Sequence, residues 1–183
     1  MKTLVIGYGN TLRGDDGVGI WVAEQVAAQN WSEVRSLAVH QLTPELAVDL
    51  AQAEVVFFID AWIGEDTQVQ PQLKRLFPDP TGTTCDHSWN PSVLLALTQT
   101  LYNHDPIAYQ WLIPAVQFEY GEPLSAIARD GADWVIAILT ASINSKSDDI
   151  TDTQITANQL GSVSYPSYPT AIRSPPPRSR LDY

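Results

Sequence analysis

Gly7-Tyr8-Gly9-Asn10-Thr11-Leu12-Arg13-Gly14-Asp15-Asp16-Gly17-Val18-Gly19, entered from the apolar run Leu4-Val5-Ile6, is the stretch whose reading decides the fold. A short β-branched run, closely spaced glycines and then an amphipathic segment spell strand, tight turn and helix, the opening of a βαβ unit. The two acids therefore fall beyond a strand's carboxyl end. Gly-x-Gly in this place raises a dinucleotide site, but that fingerprint needs a third glycine three positions after the second, where this chain has Leu12. It also needs an acid closing the second strand, and the run Val34 to Val39 closes in His40-Gln41. Asp15 and Asp16 would moreover repel a pyrophosphate at the helix amino end. A nucleotide site is set aside.

Working outward, Val18, Val22 and Val26 recur at helical spacing and predict a helix from Gly17 to about Asn30. Val34 to His40 predicts the second strand. Thr43-Pro44-Glu45 has the cap, first-turn proline and acid of a helix start, with the helix running to about Gln52. Val55-Val56-Phe57-Phe58-Ile59 is apolar at every position, the mark of a central strand covered on both faces, and it stops at Asp60. Gln70 to Phe77, hemmed by prolines, predicts a short edge strand. Thr81 to Trp89 is a polar loop holding Cys85, Asp86 and His87, and Asn90-Pro91 opens a helix through about Tyr102. Tyr109 to Val116 predicts a further strand, and Leu124 to about Ile143 a helix with a break or bend at Gly131. Strands alternating with helices imply a three-layer α/β/α sandwich around a mainly parallel, five-stranded twisted sheet.

At 183 residues and 44% hydrophobic content the chain supports one domain with a proper core, placed at residues 1–143. From about Asn144 the composition turns to Ser, Thr, Asp, Gln and Pro, ending near Ser174-Pro175-Pro176-Pro177-Arg178, so residues 144–183 are expected to be a disordered tail. A net charge of -11 speaks against nucleic acid as a partner. The single cysteine, Cys85, allows no intramolecular disulfide. No leader pattern and no apolar stretch of the ~18 residues a membrane span needs are visible, which sets the expectation of a cytoplasmic protein.

In an open α/β sheet, ligands bind beyond the carboxyl ends of the strands where the strand order reverses. With the order 2-1-3, Asp16 after strand one and Asp60 ending strand three would meet across that crevice, and His87 could close over the same edge. Two carboxylates and an imidazole suit a borderline divalent cation such as nickel or zinc. Each has a plainer explanation. Asp15 and Asp16 could simply favour a helix amino end, worth ~0.3–1 kcal/mol each, an account that weighs most for Asp15. Asp60 could close a turn. His87 could be a solvated loop residue and Cys85 a small buried filler. His40 and His104 carry no supporting pattern.

The first motif, the strand ending Ile59-Asp60-Ala61 and the loop histidine His87 together resemble the maturation endopeptidases of [NiFe]-hydrogenases. Gln41-Leu42-Thr43-Pro44-Glu45-Leu46 and Phe118-Glu119-Tyr120-Gly121-Glu122-Pro123-Leu124-Ser125 resemble further segments of that family, and the likeness covers roughly Met1 to Ile143. The resemblance implies removal of a carboxyl-terminal extension from the hydrogenase large-subunit precursor after nickel insertion. It implies nickel contacts at Asp16, Asp60 and His87, the nickel being carried by the substrate rather than held permanently. A monomeric protein is a separate expectation, not one that the resemblance supplies. The long polar tail departs from the family pattern. Facing carboxylates would also disfavour double ionisation, raising one pKa until a cation arrives. Two alternatives stay open: a response-regulator-like phosphoacceptor, which pairs an acidic doublet with an aspartate ending strand three, and a non-catalytic nickel-binding chaperone.

Overall fold

The computed structural model describes residues 2–63, 70–81 and 89–144. Cys85, Asp86 and His87 lie outside the described residues, as does the expected tail beyond residue 144.

The apolar runs form a five-stranded sheet in the order β2-β1-β3-β5-β4. Its strands are β1 (Thr3–Tyr8), β2 (Val34–Val39), β3 (Val55–Trp62), β4 (Gln72–Leu76) and β5 (Ile107–Pro114). The first four strands in that order run parallel, and β4 closes one edge antiparallel to β5. The order 2-1-3 on which the carboxylate crevice depends is therefore present. Helices α1 (Val18–Ala28) and α4 (Ala126–Asn144) pack together on one face, and α2 (Ala47–Leu50) and α3 (Pro91–Tyr102) on the other, giving the expected three layers.

Period-two alternation divides the strands between these two cores. Leu4, Ile6, Val56, Phe58 and Ala108 bury against Leu46, Leu50, Leu94 and Leu95 of the α2/α3 side. Side chains this fully enclosed are each worth ~1.5–3 kcal/mol relative to exposure, so the sheet is fixed in register from both faces. On the other side α1 comes unusually close. A Cβ at Gly19 would stand 2.4 Å from the Ile59 carbonyl oxygen and 2.6 Å from that of Tyr8, so only glycine lets the helix start directly over the ends of β1 and β3.

Several boundaries differ from expectation for identifiable reasons. Asp60 does not end its strand: β3 continues to Trp62, pairing Asp60 with Leu112 and Trp62 with Pro114. On its other side the ladder with β1 stops at Gly7 and Ile59, so Asp60 emerges past β1 while still held by β5. The last strand ends at Pro114 rather than Val116, because the amide of Val116 turns away to a side chain described below. Helix α4 is unbroken through Gly131, whose missing side chain instead lets the helix approach Ile113, which a Cβ would meet at 3.0 Å. Thr43 makes no capping bond; the chain enters α2 through a 3-10 turn at Pro44–Leu46. Asn90 does cap α3, its Oδ1 accepting the Val93 amide at 3.0 Å.

Candidate active site

The glycine loop builds the site from both of its acids, in opposite ways. Gly9 takes φ +139, and a Cβ there would stand 1.8 Å from the Asp16 carbonyl oxygen, so the turn folds back on itself tightly. The amide of Asn10 donates to both the Asp16 carbonyl (3.2 Å) and its Oδ2 (3.1 Å), while Asn10 Oδ1 accepts the Leu12 amide at 3.0 Å. A backbone donor that a phosphate loop would offer to its ligand is thus occupied by the loop's own carboxylate, in keeping with the exclusion of a dinucleotide.

Asp15 is fully buried. Its carboxylate accepts the amides of Val116 (2.8 Å), Gln117 (3.1 Å) and Ser125 (2.6 Å) and the Ser125 hydroxyl (2.8 Å). Ser125 Oγ in turn accepts the Ala128 amide at 3.2 Å, capping α4. Asp15 therefore does not serve as a surface acid at a helix dipole. It clamps the segment after β5 and the start of α4 to the loop, across about a hundred residues of sequence.

Asp16 and Asp60 line one cleft of about 1030 Å³ at the carboxyl ends of β1 and β3, together with Tyr8, His40, Trp89 and Gln110. The cleft lies at the switch point, where the chain runs one way to β2 and the other way to β5. His40 belongs to its wall, and the Gln41 to Glu45 segment supplies more of it. The position of His87 lies outside the described residues. Among the described residues no group of three His, Cys, Asp or Glu side chains could hold a metal ion.

The carboxyl of Asp60 is raised to about 6, and burial is the largest cause. Hydrogen bonds from Tyr8 and the Ala61 amide pull it down, and the charge of Asp16 pushes it up as the smallest of these effects. The expected rise is there, but desolvation rather than carboxylate repulsion produces it. Burial likewise holds the Tyr8 hydroxyl well above its ordinary value, with the charge of Asp60 adding to it and a hydrogen bond from Gln110 opposing. Tyr8 therefore stays protonated and donates to Asp60.

Tyr8 and Gln110 were not singled out from the sequence, although period-two counting finds both. Leu4, Ile6 and then Tyr8 share one face of β1; Val56, Phe58 and then Asp60 continue that face on β3; Ala108 and then Gln110 do so on β5. The polar trio crowns an apolar ladder, which is the signal that an alternating strand has reached a site.

Fold and site together define an open, doubly wound α/β protein with paired carboxylates over its switch point. The receiver alternative departs from this, since receivers use the order 2-1-3-4-5, whereas here β4 lies at the edge and runs antiparallel. Solved structures with the same fold include hydrogenase maturation peptidases. The hydrogenase maturating endopeptidase HybD from E. coli aligns with a TM-score of 0.64 at 18% identity, covering 78% of this chain and 92% of that one. The [NiFe] hydrogenase maturation protease HycI from Thermococcus kodakarensis aligns with a TM-score of 0.59 at 17% identity, covering 76% and 90%. HybD of the same archaeon gives 0.60 at 18% identity, covering 78% and 99%. No protein-family model matches the sequence, and no curated protein matches it. At these identities the likeness establishes a common fold.

Proposed function

We propose that this chain is an endopeptidase that removes the carboxyl-terminal extension of a [NiFe]-hydrogenase large-subunit precursor in the cytoplasm, after nickel has been inserted. The observation that carries the proposal is the meeting of Asp16 and Asp60 in one cleft, on a fold whose solved examples include hydrogenase maturation peptidases. The motif resemblance supports it independently. A protein substrate suits the surroundings: Leu12 of the glycine loop and Val116 and Tyr120 of the segment that Asp15 clamps to it are exposed, and the Leu12 carbonyl accepts the Gly121 amide at 2.9 Å. No helix among the described residues is long and apolar enough to cross a membrane.

In this proposal nickel arrives as part of the substrate, held by precursor cysteines. Asp16 and Asp60 supply hard anionic oxygens to its open positions, with His87 as the third contact. Binding the nickel fixes the scissile bond at the cleft. Hydrolysis then adds water to the carbonyl carbon, a carboxylate takes the water's proton, and the amide nitrogen is protonated as it leaves. Near 6 in the metal-free cleft, the Asp60 carboxyl is shifted towards neutral pH by burial, and an arriving cation favours its charged form.

The test is the mass of purified precursor after incubation with the full chain. Nickel-loaded precursor is expected to shorten at its carboxyl terminus and nickel-free precursor to stay intact. Equal processing of both would remove nickel recognition, and binding without any mass change would leave the chaperone reading in its place.

A further inference from the structure

We propose that Gln110 and Tyr8 form a directional hydrogen-bond relay that positions the Asp60 carboxylate in the cleft. Three neighbouring strands bring these residues together on one face, above the ladder of Leu4, Ile6, Val56, Phe58 and Ala108. An apolar side chain at position 8 or 110 would extend that core, so the two polar groups are not there for burial.

The direction follows from what each group can do. The Gln110 amide nitrogen only donates, and it reaches Tyr8 Oη at 2.9 Å. The Tyr8 oxygen is thereby the acceptor, and its single proton is left for Asp60, which follows the Gly7 and Ile59 pair on the neighbouring strand and shares the cleft with Tyr8. The Ala61 amide donates to the same carboxylate. Two donors act on one carboxylate, and they hold the Asp60 side chain at the wall of the cleft that Asp16 also lines. An unrestrained carboxylate would have to be ordered again at each encounter with substrate, and misplacement by about 1 Å can cost ~10²-fold in rate. Tyr8 and Gln110 are thus positioning residues that act through Asp60.

The relay itself is tested by solution NMR on the full chain, following the Tyr8 hydroxyl proton. In the wild type it is expected to be protected from solvent exchange, and in Gln110→Leu to exchange about tenfold faster, the effect of losing roughly one net hydrogen bond. Gln110→Glu replaces the donor by an acceptor and should turn the hydroxyl away from Asp60, shifting the Asp60 carboxyl carbon resonance further than Gln110→Leu does. Equal exchange in all three proteins would overturn the relay.

The consequence for activity rests on the peptidase proposal and is read separately with nickel-loaded precursor. Tyr8→Phe is expected to lower kcat about tenfold with KM within about twofold. Gln110→Glu should fall below Gln110→Leu, and the Tyr8→Phe/Gln110→Glu double variant should be no slower than Tyr8→Phe, because both act through one chain of bonds. Additive losses would overturn the relay. A wild type that leaves the precursor intact would sink the peptidase proposal while the NMR result still decides the relay.

Discussion

Asp15 and Asp16 are neighbours in one 3-10 turn, yet they belong to two different regions of the molecule. Asp15 points inward to a rim where its carboxylate accepts four hydrogen bonds, three at Oδ2 and one at Oδ1, from the segment between β5 and α4. Asp16 lines an open cleft whose other acid, Asp60, has only the Tyr8 hydroxyl and the Ala61 amide as donors. The difference teaches that charge is used here for two separate ends. A satisfied buried carboxylate rigidifies, whereas a partly satisfied one at an open cleft waits for a ligand.

The sharpest way to break this contrast is to exchange the effects. Asp60→Ala and Asp16→Ala are expected to lower precursor processing by about 10²–10⁴-fold while leaving thermal stability close to wild type; mass spectrometry of the precursor and calorimetry of the variants check both halves. Asp15→Ala should do the reverse in stability, costing about 3 kcal/mol or more by stranding buried donors, with a fall in Tm of about 10 °C. If Asp15→Ala melted like the wild type, the clamp would be no clamp.

A finer test uses pH. An unfolded aspartate ionises near 4, whereas native Asp60 ionises near 6, so between those values the native state binds more protons than the unfolded one. Stability from this group therefore declines as pH rises through that window and stays lower above it. Asp60→Asn should remove the decline, gaining about 1–3 kcal/mol over wild type at pH 7.5 relative to pH 4 in denaturant titrations. The smallest expected effect is at the far wall of the cleft, where Asn90→Ala should cost about 1 kcal/mol by removing the cap of α3.

The elements of the fold were largely legible, because strands and helices announce themselves by local period. The Val55 to Ile59 run, the valine stripe of α1 and the Asn90-Pro91 start all stand where counting put them. Boundaries failed where a distant group intervened. Val116 reads as strand until the Asp15 carboxylate captures its amide, and Gly131 reads as a break until Ile113 is seen to require the space. Asp16 and Asp60 were legible as candidates through the motif and the strand end. The burial that raises Asp60, and the Tyr8 and Gln110 side chains around it, were not, since desolvation depends on what covers a group.

What the sequence by itself determined is the alternation of strand and helix, the glycine turn that only glycine can make, and the presence of acids after two apolar runs. These are properties of contiguous residues, set by backbone sterics and side-chain period. The tertiary structure alone decided which acid is a clamp and which faces the cleft, and that a tyrosine and a glutamine lean on the second carboxylate. Those assignments turn on donors and low-dielectric surroundings supplied by strands some fifty to a hundred residues apart, and no local pattern encodes them.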